Sequence, residues 1–233
     1  MLAVIADSPS LPRTHLADAI DFAEQHGIPL HVIQTKEMER PEYIRNDASR
    51  CFHCKDELFT AMEAERVRLN FTHIAYGRNL DDTGDFRPGQ RAAEQHHVCA
   101  PLAESLLGKA AIRALAREAD LRLWDKPASA CLSSRVEYGQ PVTREVLQQI
   151  EDAEEGLHAL GFRQLRVRAH GDVARVELDI SELPSALSVD RMQQISHVVR
   201  SAGFRYVALD CEGYRSGSMN DLLPIDAIRS ALA

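Results

Sequence analysis

A strand–helix–strand pattern in the first 35 residues constrains the fold more than any other feature. Leu2–Asp7 is a short apolar run, typical of a buried parallel strand. Apolar residues then recur at helical spacing up to Gly27, which is placed to end a helix, and Leu30–Gln34 is predicted as the next strand. Two strands joined through a helix in this way run parallel, so the pattern predicts an α/β fold with an open parallel sheet.

More α/β elements are predicted downstream. A helix runs to about Leu69, a third strand covers Thr72–Tyr76, a short strand lies near Val98, and Lys109–Ala119 forms an amphipathic helix. Ligands of open parallel sheets bind beyond the carboxyl ends of the strands. The loops that follow Asp7 and the two later strands are therefore predicted to meet at a binding site.

The pattern changes after Pro141. Thr143 is placed to cap a helix, and two strands, Gln164–Ala169 and Val173–Asp179, are predicted to form an antiparallel hairpin before another helix and strand. This α-β-β-α-β order is typical of a self-contained α+β unit. The sequence therefore predicts an α/β domain at residues 1–138 and a smaller α+β domain at residues 139–233.

Composition narrows the class of protein. The 233 residues carry a net charge of −8, which argues against a broad nucleic-acid-binding surface. No apolar run approaches the roughly 20 residues of a membrane helix, and no signal peptide precedes the first strand, so a cytoplasmic protein without membrane contact is expected. Five cysteines are an odd number, which favours reduced thiols in a metal or redox role over a disulfide framework.

Three of these cysteines are candidates for chemistry. Cys51 and Cys54 form a C-x-x-C pair, and Cys131 stands in a polar loop with serine hydroxyls and a nearby arginine, which stabilises a thiolate. Three soft thiolates suit iron–sulfur or zinc, and on a [4Fe–4S] cluster they leave one iron position open. A redox pair, or thiols with a purely structural role, are equally compatible with the spacing.

Two further groups suggest anion and cation binding. Arg166 and Arg168 lie two apart on a predicted strand, so both side chains leave by one face and can hold a phosphate or carboxylate. A solvated strand face with ion pairs inside the sheet is the alternative. Asp82 lies in an aspartate-rich loop that suits Mg²⁺, although caps and turns are the more common use of such residues.

Six stretches of the chain together resemble the LarE family, the ATP-dependent sulfur transferases of nickel-pincer cofactor synthesis within the PP-loop ATP pyrophosphatases. The resemblance spans essentially the whole chain. The stretches are ADSPSLP at 6–12, RCFHCK at 50–55, GRNLDD at 77–82 with DFRPG at 85–89, DKPASACLSSR at 125–135, VRAHGD at 167–172 and GYRSGSMN at 213–220.

The resemblance implies a PP-loop (Rossmann-like) α/β fold and a reaction. The enzyme adenylates a carboxylate of a pyridinium dicarboxylate mononucleotide with ATP and Mg²⁺, and sulfur then displaces AMP to give a thiocarboxylate. One variant of the family takes the sulfur from the cysteine at position 131; the other uses a [4Fe–4S] cluster, and Cys51, Cys54 and Cys131 match that second variant. The family's second domain also forms homo-oligomers.

The resemblance further implies roles for individual residues. Cys131 is the expected catalytic residue, and Asp82 is expected near ATP and its metal ion. Residues expected to bind ATP or the mononucleotide substrate are Asp7, Ser8, Gly77, Asn79, Ser134, Arg135, Arg166 and Arg168.

One family motif has no counterpart in residues 1–233. It is the Ser-Gly-Gly-x-Asp-Ser loop, which holds pyrophosphate through backbone N–H groups. The expectation is therefore a sulfur transferase whose α/β domain lacks its first βα unit. Two other hypotheses stay open: a remnant that binds nucleotide or phosphate without catalysis, and a tRNA- or nucleotide-thiolating enzyme of the same superfamily.

Overall fold

A computed structural model of the protein describes residues 1–84, 88–126, 130–215, 217 and 219. The carboxylate of Asp85, the 127–129 part of the Cys131 stretch and residues 216, 218 and 220 of the last motif lie outside these ranges. Five strands are present in them: β1 Ala3–Asp7, β2 Leu30–Gln34, β3 Leu165–His170, β4 Val173–Leu178 and β5 Tyr206–Leu209. The helices are α1 Arg13–Gln25, α2 Pro41–Ile44, α3 Arg50–Arg68, α4 Gly89–Gln95, α5 Pro101–Glu104, α6 Lys109–Glu118, α7 Arg144–Ala159, α8 Leu183–Ala186 and α9 Val189–Ser201.

The first sheet confirms the predicted parallel strand–helix–strand unit. β1 and β2 pair in parallel from Ala3 opposite Leu30 to Asp7 opposite Gln34. β1 was predicted to be buried, and this is wrong, because each of its five residues is partly exposed beside a single neighbouring strand. The third strand is also wrong as predicted, since only Ala75 forms a bridge there, with Cys99.

The second sheet has three strands in the order β3-β4-β5. β3 and β4 form the predicted antiparallel hairpin, in a register that sets Arg166 opposite Glu177 and Arg168 opposite Arg175. β5 runs parallel to β4 after the α9 crossover. The protein is thus of the α/β class, with a small parallel sheet and a second, mixed sheet; its assignment to the PP-loop type rests on the sequence resemblance.

Helix α7 forms the centre of the main core as the sequence predicted. The Thr143 hydroxyl accepts a hydrogen bond from the Val146 N–H at 3.2 Å and caps the helix. Leu147, Ile150 and Leu157 on one face of α7 are almost completely buried against the second sheet and α9. None of the helices in the described ranges has the length and apolarity that crossing a bilayer requires.

The main core also joins the two halves of the chain. Most of its buried residues lie between positions 132 and 204, but Tyr43 of α2 is fully buried in the same cluster. The partly buried side chains of Met38 and Cys54 pack against it. The helix that carries Cys51 and Cys54 is therefore held against the core built by the C-terminal half, while the domain boundary at 138/139 stays a prediction.

Candidate functional site

The three candidate thiols lie on two segments that are far apart in the sequence. Cys51 and Cys54 are in the first turns of the 19-residue helix α3, where Cys51 is exposed and Cys54 is partly buried. Cys131 immediately precedes a short 3₁₀ helix, Leu132–Arg135, and its Sγ lies 3.1 Å from the Ser133 Oγ. All three are free thiols.

The surroundings of Cys54 disfavour its thiolate form. Burial raises the pKa of Cys54 well above its ordinary value, and the neighbouring Cys131, Glu37 and Cys51 raise it further, while Arg50 acts in the opposite direction. Burial, with Cys131 and Cys54 nearby, likewise raises the pKa of the Tyr43 hydroxyl. Arg50 connects the two segments, because its Nη2 lies 4.0 Å from the Cys51 sulfur and its Nη1 donates at 2.8 Å to the carbonyl of Ser133, two residues after Cys131.

The candidate iron–sulfur ligands can be tested only by their chemistry. Across the described ranges, no three His, Cys, Asp or Glu side chains are arranged to hold a metal ion. Three free thiols are soft donors of the kind that iron–sulfur clusters take, and the cluster stays a prediction.

A cavity of about 190 Å³ opens beside the Cys131 loop. Its walls are the first turn of α1, one face of α7, the start of β3 and the 3₁₀ segment after Cys131. The charged and polar residues that line it are Thr14, His15, Lys126, Arg135, Glu151, Glu154, Glu155, His158, Arg163 and Arg166. Both signs of charge are present, as a ligand that carries both charges requires.

The two predicted phosphate-binding arginines differ in their surroundings. The Arg166 side chain lines the cavity, its guanidinium carbon lies 5.2 Å from the centre of the Tyr214 ring, and burial together with Arg135 lowers its pKa. Arg168 is buried and donates to one oxygen of Glu177 from Nε at 3.0 Å and from Nη2 at 2.8 Å. For Arg168 the geometry is the ion pair inside the sheet that was the alternative reading of this pattern.

Ser134 and Arg135 hold the backbone of the Cys131 loop. The buried Arg135 pairs with Glu154 of α7 at 3.1 Å and donates from Nη1 to the carbonyls of Ala130 and Cys131 at 2.6 and 2.8 Å. The Ser134 hydroxyl donates to the same Cys131 carbonyl at 2.7 Å. Both residues, predicted to bind a cofactor or substrate, therefore also position Cys131.

The residues predicted near ATP at the end of β1 make internal contacts. Asp7 forms an ion pair with Arg13 and accepts from Gln34 Nε2 at 2.8 Å. The buried Ser8 hydroxyl contacts Glu37, and it lies 2.8 Å from the Ser10 hydroxyl. This loop is fixed to the thiol site, because the Leu132 N–H donates to the Ser10 carbonyl at 2.8 Å.

The second predicted ATP loop is a network of turns. The Asn79 side-chain oxygen accepts from the Asp81 N–H at 3.0 Å, and Asp82 accepts from the Asn79 N–H at 3.2 Å. Lys109 Nζ lies 3.4 Å from the buried Asp82 carboxylate, so this carboxylate already faces a cation. A Cβ atom placed on Gly77, another residue predicted to bind ATP, would have no atom within 4 Å, so the structure gives no steric reason for a glycine there. Magnesium at Asp82 stays a prediction.

Sequence reasoning missed five buried polar residues of this region: Glu37, Asn46, Arg50, Glu151 and Glu154. Glu151 and Glu154 had a usable signal, since they are charged residues on the mainly apolar buried face of α7. Arg50 stands next to Cys51, but adjacency in sequence gives no indication of burial. Glu37 and Asn46 lie in a polar segment without periodicity, so no pattern distinguished them.

Comparison with known proteins gave relatives over nearly the full chain, although no protein-family model matches it. The chain is 38% identical over 222 residues to an uncharacterized protein of Synechocystis, covering 95% of this chain and 83% of that protein. It is 31% identical over 221 residues to the pyridinium-3,5-bisthiocarboxylic acid mononucleotide synthase of Lactiplantibacillus plantarum, covering 95% of this chain and 79% of that enzyme. An uncharacterized protein of Methanocaldococcus jannaschii is 29% identical over 217 residues, covering 92% of this chain and 81% of that protein.

Proposed function

Because the chain belongs to the LarE family, which includes the pyridinium-3,5-bisthiocarboxylic acid mononucleotide synthase of Lactiplantibacillus plantarum, we propose that it is a sulfur transferase. Its substrate is a pyridinium mononucleotide, and its product carries a thiocarboxylate in place of a carboxylate. The pathway we propose is nickel-pincer cofactor synthesis.

The proposed reaction has two substitutions. A carboxylate oxygen of the substrate attacks the α-phosphorus of ATP, and pyrophosphate leaves with the electron pair of the broken P–O bond. A sulfide sulfur then attacks the carbonyl carbon of the acyl adenylate, the bond from this carbon to the phosphate oxygen breaks, and AMP leaves. Both steps are substitutions without net redox change, so ATP and a sulfide donor are the required co-reactants.

The observation that carries the proposal is that Arg50 lies 4.0 Å from the Cys51 sulfur and donates at 2.8 Å to the carbonyl of Ser133, whose hydroxyl lies 3.1 Å from the Cys131 sulfur. Cys51, Cys54 and Cys131 would hold a [4Fe–4S] cluster, and that cluster would supply the sulfide. Cys131 is distant in sequence from the pair Cys51 and Cys54, so a C-x-x-C pair that arose by chance would not explain why the fold connects it to the Cys131 loop. The cysteine loop is also fastened at its backbone by Arg135 and Ser134, which keeps Cys131 in place as a ligand.

The cavity next to the loop suits the mononucleotide. Arg166 and Arg163 on its β3 side offer guanidinium groups to a phosphate, while Glu151 and Glu155 on its α7 side suit a pyridinium cation. We therefore propose that the phosphate lies towards Arg166. The cavity volume of about 190 Å³ accommodates part of such a ligand, with the remainder towards the open side.

Anaerobic reconstitution with iron and sulfide tests the proposal. The wild-type protein should bind about four irons per chain and convert substrate to thiocarboxylate with ATP, detected by the mass of one oxygen-to-sulfur exchange. Cys131→Ala should lose both properties. The matched control is Cys211→Ala, which removes an exposed thiol elsewhere and should keep both.

Two results would contradict the proposal or its cluster variant. A Cys131→Ala protein that still binds four-iron clusters and transfers sulfur would exclude Cys131 as a ligand. Loss of sulfur from Cys131 itself during turnover, seen as dehydroalanine in its peptide, would instead assign the sacrificial-cysteine variant of the reaction.

A further inference from the structure

Arg50 lies at the centre of the thiol site and is almost completely buried, with 4% of its surface exposed. Its Nη1 donates to the side-chain oxygen of Asn46 and, at 2.8 Å, to the carbonyl of Ser133. Its Nη2 lies 4.0 Å from the Cys51 sulfur, and its guanidinium carbon is 5.5 Å from the centre of the Tyr138 ring. One side chain therefore contacts both the start of α3 and the loop that follows Cys131.

The charge of Arg50 is balanced in an unusual way. A buried guanidinium is normally paired with a carboxylate, because an unpaired buried charge is costly. In the described part of the chain no carboxylate forms an ion pair with Arg50, and the acidic groups that act on it are Cys51, Cys131, Tyr138 and Tyr43. The positive charge of Arg50 thus lies among two thiols and two tyrosine hydroxyls.

Asn46 extends the connection between the two segments. It is fully buried with φ at 56°, a left-handed conformation that Asn adopts more readily than most residues. Its Nδ2 donates to the carbonyls of Glu137 at 2.8 Å and Gln140 at 2.9 Å, while its Oδ1 accepts from Arg50. Asn46 and Arg50 therefore join the start of α3 to the backbone on the C-terminal side of the Cys131 loop.

We infer that Arg50 is a positioning residue that holds the Cys131 loop against the start of α3, where Cys51 and Cys54 lie. The inference deepens the proposed function and rests on it for the role of the sulfur site. Its geometric part concerns the protein before iron is added. Lysine is a poor replacement, since its single ammonium lacks the planar fork that reaches Asn46 and Ser133 together.

Thiol cross-linking of the metal-free protein tests the inference. Cys99 and Cys211 are first replaced by Ala, so that only the three thiols of the site remain. Dibromobimane becomes strongly fluorescent when both of its reactive groups have alkylated thiols, and peptide mapping identifies the pair. The measured quantity is the yield of links from Cys131 to Cys51 or Cys54.

Arg50→Met should lower this yield about tenfold, the effect of losing charge-assisted hydrogen bonds that dock the loop. Arg50→Lys should give an intermediate yield. The matched control is Arg40→Met. Arg40 pairs with Asp56 and Glu57 of helix α3 and not with the Cys131 loop, so its loss should leave the yield unchanged. Circular dichroism of each variant verifies that the fold persists.

Asn46→Gly is a second variant in case Arg50→Met fails to fold. Glycine tolerates the left-handed backbone at this position and removes the side chain that contacts Arg50, so Asn46→Gly should also lower the cross-linking yield. A folded Arg50→Met protein that cross-links like the wild type would overturn the inference. A tenfold loss in Arg50→Met, seen alongside a wild-type protein that binds no iron, would support the positioning role and separately overturn the cluster function.

Discussion

Replacing Glu177 by Gln should destabilise the protein by about 3 kcal/mol, because it removes the carboxylate that pairs with the buried Arg168. Glu177 is fully buried in β4. Its Oε2 accepts both hydrogen bonds from Arg168, at 3.0 and 2.8 Å, and its Oε1 lies 3.0 Å from Nη1 of Arg175. Arg175 keeps a second carboxylate, Asp210, so the cost falls mainly on Arg168, whose side chain is 7% exposed.

The expected size follows from the type of interaction that is broken. Removing one partner of a buried ion pair costs about 3–5 kcal/mol, and Gln keeps the shape and one acceptor oxygen of Glu, which favours the lower end. With a urea dependence of about 2.5 kcal/mol per molar, the unfolding midpoint should fall by about 1 M. Circular dichroism during urea titration measures this directly.

Two comparisons make the test decisive. Glu63→Gln removes a carboxylate from an exposed ion pair with Arg66 and should leave the midpoint unchanged. Replacing Arg168 by Met and Glu177 by Leu together should cost far less than the single substitutions predict, because neither charge is then left unpaired. A Glu177→Gln midpoint within about 0.4 M of the wild type, equivalent to about 1 kcal/mol, would refute the reasoning.

Three further predictions concern capping, packing and pH. Thr143→Ala should cost about 1 kcal/mol in thermal unfolding by removing the α7 cap, while Thr143→Ser should not. Gly156→Ala should cost about 1–3 kcal/mol, since the new Cβ would lie 2.4 Å from Val198 Cγ1, and adding Val198→Ala should recover most of the loss. The hydrogen bond from Arg13 holds the pKa of Asp7 below its ordinary value. The ion pair therefore stabilises the fold fully above the unfolded-state pKa of about 4, and this stabilisation is lost as the pH falls through the lower pKa of the folded state. Asp7→Asn should therefore lower the melting temperature at neutral pH and have little effect in acid.

The elements that the sequence predicted well are those whose stability is local. The cap and apolar face of α7 and the β3–β4 hairpin depend on spacing and turn residues, and both are confirmed. The segment Thr72–Tyr76 was predicted as a strand, but a strand also needs a paired neighbour in space, and in this segment only Ala75 forms a bridge, with Cys99. Pairing between distant segments is not contained in the local pattern, which is why this prediction failed.

The same distinction applies to the candidate site. Alternation along β3 was enough to place Arg166 and Arg168 on one face. It did not indicate that the register would set Glu177 within reach of Arg168 and leave Arg166 at the cavity. Burial of Arg50 among the thiols likewise depends on how α3 packs against the C-terminal core, and no local pattern of the sequence encodes that contact.

Two buried arginines donate hydrogen bonds to the backbone of the Cys131 loop. Arg135 donates to the carbonyl of Cys131 and is held by Glu154, while Arg50 donates to the carbonyl of Ser133 and is held by Asn46. These contacts involve backbone carbonyl groups and not the Cys131 side chain, which contacts the Ser133 hydroxyl. Cys131→Ala should therefore leave the fold intact, so that a loss of sulfur transfer in that variant reports on the chemistry of the sulfur atom.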